Sequence, residues 1–526
     1  MAATVGLFAW LNYHTEVTFA DGLRSIQQAQ AIDRGAWTEG VIRSMDHPLH
    51  PLAVAAVHRA IGGAGPVSWQ RAAQVASILA AVLLVIPVYL LTLEIFGPST
   101  AWLGCVLAIA NPVLAHVVTN VLSESTFVLF WAWGLWAAVR FLREGTFVWL
   151  PLTIGFGALA YLARPEGMLL PLALVATLFV LPLHRTIRIY WPRWWAAVAF
   201  LVVGSLCLVG PYMAAKGGVG TRPAIARLIG TEPPAPALAF ERERPLPPDQ
   251  TTFQTYVLAV RRVVRAFQGA VGTPLLALGV LGLLVARPWT VRARIWLFLG
   301  IILGLSILAL IRLHVTGGYC TARHALVPAL LCWLAAAHGL AWLIRSIAID
   351  GRWLGLAEGR FRPGPAPWGM ALAALVAMPL LPFTTKVPGS FSSYRDAGQW
   401  LAQVTDRNSG KVLDMTDWSL FFSDHPGFNL KDIHTAAGDP NTRWIVARYA
   451  HLRGHWVYSR MLQDLVRGRE PAILFPAERK PGQLQIRVYD LWAPPGGGSP
   501  AVAGGSSSPE ELTRAPRALE MDVRQR

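Results

Sequence analysis

Charge is scarce in this chain. Asp, Glu, Lys and Arg make up 14% of its 526 residues, against about 25% in an ordinary soluble domain. The hydrophobic share is 54% and the mean hydropathy is +0.43. This argues against a soluble globular enzyme and for a multi-pass membrane protein. Acids are scarcer than bases: 30 Asp and Glu against 46 Lys and Arg, a formal charge of +16 with a pI near 10.3. Such a balance also marks nucleic-acid binding, but these arginines sit between apolar runs, so no nucleic-acid partner is expected. Cysteine is nearly absent. Cys105, Cys207, Cys320 and Cys332 form no CxxC pair or zinc spacing, and three lie in apolar runs, where a thiol acts as a small hydrophobe. Neither a disulfide framework nor a cysteine metal site is expected.

What is abundant is apolar length. Runs long enough for a membrane helix of about 20 residues lie at 73–96, 100–118, 121–143, 146–163, 167–183, 194–214, 272–287, 295–313, 324–345 and 367–385. About ten spans are therefore expected, with Trp, Tyr and Phe suited to the two interfaces. A further run, Val5 to Leu11, is too short to cross. It reads as a signal-like stub or, by preference, as the end of an eleventh helix whose beginning is lost to a misassigned start.

Arginine placement sets the expected orientation, because short cytoplasmic loops retain Lys and Arg. With alternating spans, Arg140 and Arg143, then Arg185, Arg188 and Arg193, then Arg287, Arg292 and Arg294, then Arg345, Arg352, Arg360 and Arg362 share one side. That side reads as the cytoplasm. The opposite side receives the first large loop, 14–72, the turn 117–124, the turn around Arg164, the stretch 215–271, the turn 314–323 and everything after 386. Within 215–271, Thr252 to Ala270 is amphipathic and is expected to lie along the membrane surface, and the Pro-rich piece Glu232 to Pro248 reads as a mobile loop.

The expected fold class is mainly α: a polytopic membrane helix bundle over 1–386 with a small C-terminal extracytoplasmic α/β domain over 387–495. In that domain Lys411 to Met415, Ala472 to Phe475 and Leu484 to Val488 read as strands, and Tyr394 to Val404 and His455 to Val466 as helices. The Gly-, Ser- and Pro-rich tail 496–526 reads as disordered.

The residues with chemistry to offer cluster on the outer side. The first loop holds Ala20-Asp21-Gly22-Leu23-Arg24-Ser25, with Ala29, Ile32 and Gly35 following, and then Asp46-His47-Pro48-Leu49-His50-Pro51-Leu52. An acid just after a first span, an amphipathic helix ending in Gly and a His-Pro turn resembles the GT-C class of polyprenyl-phosphate-dependent membrane glycosyltransferases. The likeness is closest to the dolichyl-phosphate-mannose/aminoarabinose transferase-like group, where this stretch looks like D-E-x-x-Y…A…G…H-P-P-L-Y-P. Leu122-Ser123-Glu124, Tyr161-Leu162-Ala163-Arg164-Pro165-Glu166-Gly167 and Ala322-Arg323-His324-Ala325-Leu326-Val327-Pro328 follow in the matching order. The likeness covers 14–385 as a layout. Gly22 replaces the usual second acid, Ser25 stands where Tyr is common, and Leu49 and His50 replace Pro and Tyr.

The resemblance implies a cell-membrane enzyme that moves a sugar from a polyprenyl-phosphate donor to a lipid, glycan or protein acceptor on the extracytoplasmic face, with inversion. Such transfer needs a base for the acceptor proton and positive charge for the departing phosphate. Asp21 matches the catalytic acid of the group; its plainer reading is a helix N-cap. Glu124 either positions the acceptor or holds a divalent cation, or it caps a helix with Ser123. Arg164 and Arg323 fit the phosphate, since guanidinium forks bind its oxygens in pairs; the alternative is a snorkelling anchor. Glu166 orients Arg164. His324 either donates to the lipid phosphate or merely opens a helix. His47 and His50 are expected to shape a turn beside the acceptor groove.

Asp33, Glu39 and Asp46 read as solvated loop acids. His14, His47, His50 and His116 all fall near the outer surface, but their spacing is not diagnostic of zinc, and no metal ligand is assigned. The membrane part has no Walker loop and no Rossmann glycine motif, which disfavours a nucleotide-sugar donor. Two other classes compete: a transporter or lipid-carrier flippase, which should keep polar or broken helices near the midplane, and a scaffold whose business is the C-terminal domain. The enzyme reading requires Asp21, Arg164 and Arg323 to share one pocket.

Overall fold

In hydrocarbon every backbone N–H and C=O must be paired within the chain, so apolar runs of this length fold as helices. The computed structural model describes residues 1–44, 46–183, 190–217, 252–286, 293–350, 384, 391–405, 409–453, 457–478 and 484–494. The chain divides into two compact units, Met1–Ser392 and Ser393–Arg526.

The first unit is helical: α1 (Ala2–His14), α2 (Ala20–Asp33), a π-helical turn (Thr38–Arg43), α3 (Leu49–Ile61), α4 (Gly65–Phe96), α5 (Pro98–Ile109), α6 (Pro112–Thr119), α7 (Glu124–Glu144), α8 (Trp149–Ala163), α9 (Leu169–Val180), α10 (Trp191–Ala215), α11 (Thr252–Val271), α12 (Thr273–Ala286), α13 (Ala293–Gly317) and α14 (Leu326–Asp350). Among the described residues, six helical stretches are long and apolar enough to cross a membrane, and eight if each of two bent pairs is one span.

The shortfall from ten has physical causes. The run 100–118 is broken by 53° between α5 and α6. Pro112 cannot donate, and the Asn111 side-chain Oδ1 accepts the Val113 and Leu114 N–H groups at 2.9 and 3.1 Å, capping a new helix. The run 272–287 turns by 93° from α11 at Gly272 and is a 14-residue helix. The run 146–163 is a 15-residue helix, α8. The expected span 367–385 lies outside the described residues except for Thr384, and the expected loop 232–248 and tail 496–526 also lie outside them. The short run at Val5 to Leu11 belongs to α1, whose Phe8 and Leu11 are wholly buried in the bundle core.

Two polar devices hold the first loop on the bundle. Gln70 of α4 donates to Glu16 O at 2.9 Å, and Gln74 donates to Asn12 O and Thr15 O at 3.1 and 3.2 Å, so the link into α2 is tied to α4. His50 of α3 is wholly buried. Its Nε2 donates to Val121 O at 3.2 Å and its Nδ1 accepts from the Thr126 hydroxyl at 2.9 Å. Val121 has φ of 56°, costly for a β-branched residue, and the histidine helps hold it there. At the other end of α4 and α7, Glu94 pairs with Arg140 at 2.5 Å and with Arg143. α7 is about 30 Å long, so this cluster is separated from Glu124 by the thickness of the hydrocarbon core.

The second unit opens with α15 (Ser392–Val404) and has a five-stranded sheet of β1 (Lys411–Asp414), β2 (Gly427–Phe428), β3 (Thr442–Arg448), β4 (Ile473–Phe475) and β5 (Ile486–Asp490) in the order β2-β1-β3-β5-β4. β1 pairs in parallel with β2 and β3, and β5 runs antiparallel to β3 and β4. The structure adds β2 and the central β3 to the three expected strands. β3 is a continuous apolar run at Trp444 to Ala447, a pattern that periodicity does not separate from buried helix.

Burial lowers the His50 pKa to about 4, so the ring is neutral in the folded chain and must be protonated for unfolding to gain in acid. Stability should therefore fall as pH drops from about 6.5 towards 4, with His50 contributing on the order of 3 kcal/mol. His50→Gln cannot take that proton, and thermal melting in detergent should show a shallower acid slope. Equal slopes for the two proteins would contradict this.

Candidate active site

Asp21 sits in the first turn of α2, but the N-cap position belongs to Phe19 and no side chain caps the helix. The capping alternative is thus excluded, and the carboxylate is directed elsewhere. Asp21 Oδ2 lies 2.5 Å from Arg323 Nη1, and Oδ1 accepts from Arg24. Burial pushes its carboxyl pKa up, but the opposing pull of Arg323, then of Arg24, wins and holds it below the ordinary carboxylate range.

Gly22 explains one departure from the family pattern. A Cβ at this position would fall 2.3 Å from Asn120 O and 3.3 Å from Val121 O. α2 rests directly on the 120–121 turn, so a second acid has no room.

Glu124 is the first residue of α7, behind Ser123, which makes no side-chain cap. Its side chain is only 4% exposed, with Oε1 2.6 Å from Arg164 Nη1 and 3.9 Å from Arg323 Nε. The capping reading with Ser123 is corrected here: a carboxylate this buried is held by guanidinium charge.

Arg164 owes its place to the residue after it. A residue before proline is driven from the helical region, and Arg164 has φ −156° and ψ 147°, which ends α8. The 3-10 turn Pro165–Met168 then folds back so tightly that a Cβ on Gly167 would meet Tyr161 N at 2.2 Å. The turn brings Glu166 under Arg164 in a two-pronged pairing, 2.8 Å for Nη2 and 3.2 Å for Nε.

Arg323 lies in the 3-10 turn Ala322–Ala325 that opens α14. His324 caps this turn: its Nδ1 accepts the Thr321 N–H at 3.2 Å and lies 2.9 Å from the Thr321 hydroxyl. That is the helix-opening alternative, and it serves to aim Arg323. The Arg323 guanidinium also lies 5.5 Å from the centre of the Phe19 ring.

The structure therefore brings Asp21, Glu124, Arg164, Glu166, Arg323 and His324 together and adds Arg24, which the sequence reading passed over. Its signal was the three-residue spacing from Asp21 on one helix face. Asp46, expected to be a solvated acid, has Oδ2 3.9 Å from Arg24 Nε. His47 is buried, with its ring edge-on to Tyr161 at 5.1 Å and near Tyr212 at 6.0 Å, beside the Arg164 turn. His50 does hold a turn, the one at Val121, but the expectation of substrate contact is corrected: a wholly buried ring with both nitrogens bonded to protein has none left for a substrate. Among the described residues no three His, Cys, Asp or Glu side chains converge as metal ligands.

An apolar cavity of about 650 Å³ runs along α14 from Pro328 to Ala335, lined also by Leu276, Leu283, Trp296 and, close to Glu94, Phe96.

Residues 46–208 match the family model described as dolichyl-phosphate-mannose-protein mannosyltransferase. Among solved structures, ArnT from Cupriavidus metallidurans bound to undecaprenyl phosphate is similar with a TM-score of 0.59 and 14% identity, over 94% of this chain and 98% of that one. The oligosaccharyltransferase AglB from Archaeoglobus fulgidus, in complex with an inhibitory peptide and a dolichol-phosphate, gives 0.57 and 11% identity, over 85% of this chain and 69% of that one. The chain is a membrane glycosyltransferase with the GT-C fold. No curated protein matches its sequence.

In this glycosyltransferase the contact of Gly22 with Asn120 should be intolerant of a single methyl. Gly22→Ala is expected to lower stability by about 1–3 kcal/mol and to displace Asp21 from Arg323. An unchanged melting midpoint would show that α2 can shift at no cost.

Proposed function

We propose that this glycosyltransferase moves a sugar from a polyprenyl-phosphate donor to an acceptor hydroxyl on the extracytoplasmic face of the cell membrane, inverting the anomeric centre. The observation that carries the reading is the ion pair of Asp21 with Arg323 and Arg24: the base and the phosphate grip occupy one spot.

The pairing has a chemical use. With Arg323 and Arg24 turned to it, Asp21 is ionised but weakly basic. A donor phosphate competes for those two guanidinium groups, and as they turn to its oxygens Asp21 loses their pull and its basicity rises. Asp21 then takes the proton of the acceptor hydroxyl as that oxygen bonds to the anomeric carbon from the far side. The bond between that carbon and the phosphate oxygen breaks, and the electron pair leaves with the polyprenyl phosphate, whose added charge Arg323 and Arg24 stabilise.

Arg164 is committed to Glu124 and Glu166, so its part is to hold Glu124 towards the acceptor while adding positive charge to the same pocket. His324 holds the turn that aims Arg323. The apolar cavity beside Pro328 and Leu331 suits the lipid tail, and lipid phosphates are bound in the solved structures of both relatives named above. Sidedness rests on the positive-inside rule: Arg140 and Arg143 mark the cytoplasmic end of α7, opposite Glu124.

The test is reconstitution with labelled polyprenyl-phosphate sugars. Asp21→Asn should lower transfer by about 10²–10⁴-fold without loss of fold, and an undiminished rate would remove Asp21 from the mechanism. Arg323→Lys should raise the donor KM far more than it alters melting; an unchanged KM counts against the phosphate grip. In Arg323→Gln burial is less opposed, so the Asp21 pKa rises and the acid limb of the rate profile should move to higher pH. A limb that stays in place assigns that titration to another group.

A further inference from the structure

α11 carries three distinct faces on one 20-residue helix. Ala259, Val263, Ala266 and Ala270, at helical spacing, are buried against the bundle. A second stripe, Phe253, Tyr256, Val260 and Val264, is apolar yet exposed, Phe253 by 76% and Val264 by 57%. The remaining sector holds Arg261, Arg262 and Arg265, all exposed. At 100° per residue the arginine sector begins just beside the exposed apolar stripe. The helix contains no Asp or Glu, and no ion pair among the described residues involves these three arginines.

The turn at Gly272 sets α11 at 93° to the apolar α12. With α12 directed into the bilayer, α11 lies in the plane of its surface. α11 also packs on the turn that carries Arg323: a Cβ on Gly269 would lie 3.6 Å from Ala322 Cβ.

We infer that α11 is a docking surface for the anionic phospholipids of the surrounding bilayer. The Phe253-Tyr256-Val260-Val264 stripe sinks among the acyl chains, and Arg261, Arg262 and Arg265 take the phosphates of headgroups with net negative charge. The charge complementarity is one-sided, three guanidinium groups with no acidic partner among the described residues beside an apolar stripe, and an interfacial helix of this composition binds through both terms. The inference does not depend on sugar transfer, and its readout is independent of activity.

The test uses the full chain in nanodiscs containing photoactivatable phosphatidylglycerol or phosphatidylcholine, with labelling mapped to peptides covering 252–271. Wild type should label with phosphatidylglycerol in preference to phosphatidylcholine, each arginine contributing roughly fivefold in local lipid concentration at low salt, and added salt should erode the preference. R261Q/R262Q/R265Q, three exposed positions outside the reacting cluster, should bring the two lipids to parity. Equal labelling of the wild type, or a preference surviving the triple substitution, overturns the inference. So does a chain-to-chain cross-link from a photoreactive residue at Val264, which would place a second copy on this face.

Discussion

The Asp21–Arg323 ion pair is the contact on which the site depends, because it joins the first loop to a turn near the far end of the membrane unit. At an effective dielectric of about 20, opposite charges 4 Å apart attract by about 4 kcal/mol, and burial adds the cost of leaving either partner alone. Glu124 extends the connection, with one carboxylate oxygen facing both Arg164 and Arg323. Removing one member of a buried pair typically costs about 3–5 kcal/mol. The network thus ties together four separate stretches of chain, around residues 21, 124, 164 and 323.

Backbone chemistry does the positioning. Gly22 lets α2 sit on the Asn120 carbonyl, Gly167 lets the 165–168 turn fold against α8, and Pro165 forces Arg164 out of the helix. His50 and Thr126 hold the turn at Val121 from beneath. Each device is small and local. Together they set side chains on α2, α7 and two short turns within ion-pair distance, without relying on any one of the long helices being straight.

The two ends of the membrane unit use charge differently. At one end Glu94 is saturated by Arg140 and Arg143, and Arg140 is further engaged by Glu144 and stacked over Trp149. That is an anchoring arrangement at the interface. At the other end Asp21 is shared between Arg24 and Arg323, and Glu124 lies between Arg164 and Arg323.

Helix formation in the long apolar runs was legible because the backbone groups of such a run must be paired within the chain in hydrocarbon. The Asn111-Pro112 break was also written in local chemistry, though a hydropathy window reads across it. Asp21, Glu124, Arg164 and Arg323 were visible as charged residues at the ends of apolar runs, where burial is costly without a partner. Arg24 and β3 were not singled out: one looked like an ordinary helix-surface charge, the other like any apolar run. Composition and periodicity alone therefore determined that this is a membrane helix bundle with its charged residues held at the ends of the apolar runs. Tertiary structure decided which acid meets which arginine, that His50 is core and His324 a cap, and why residue 22 must be Gly, because pairing and close approach depend on distances between segments that are remote along the chain.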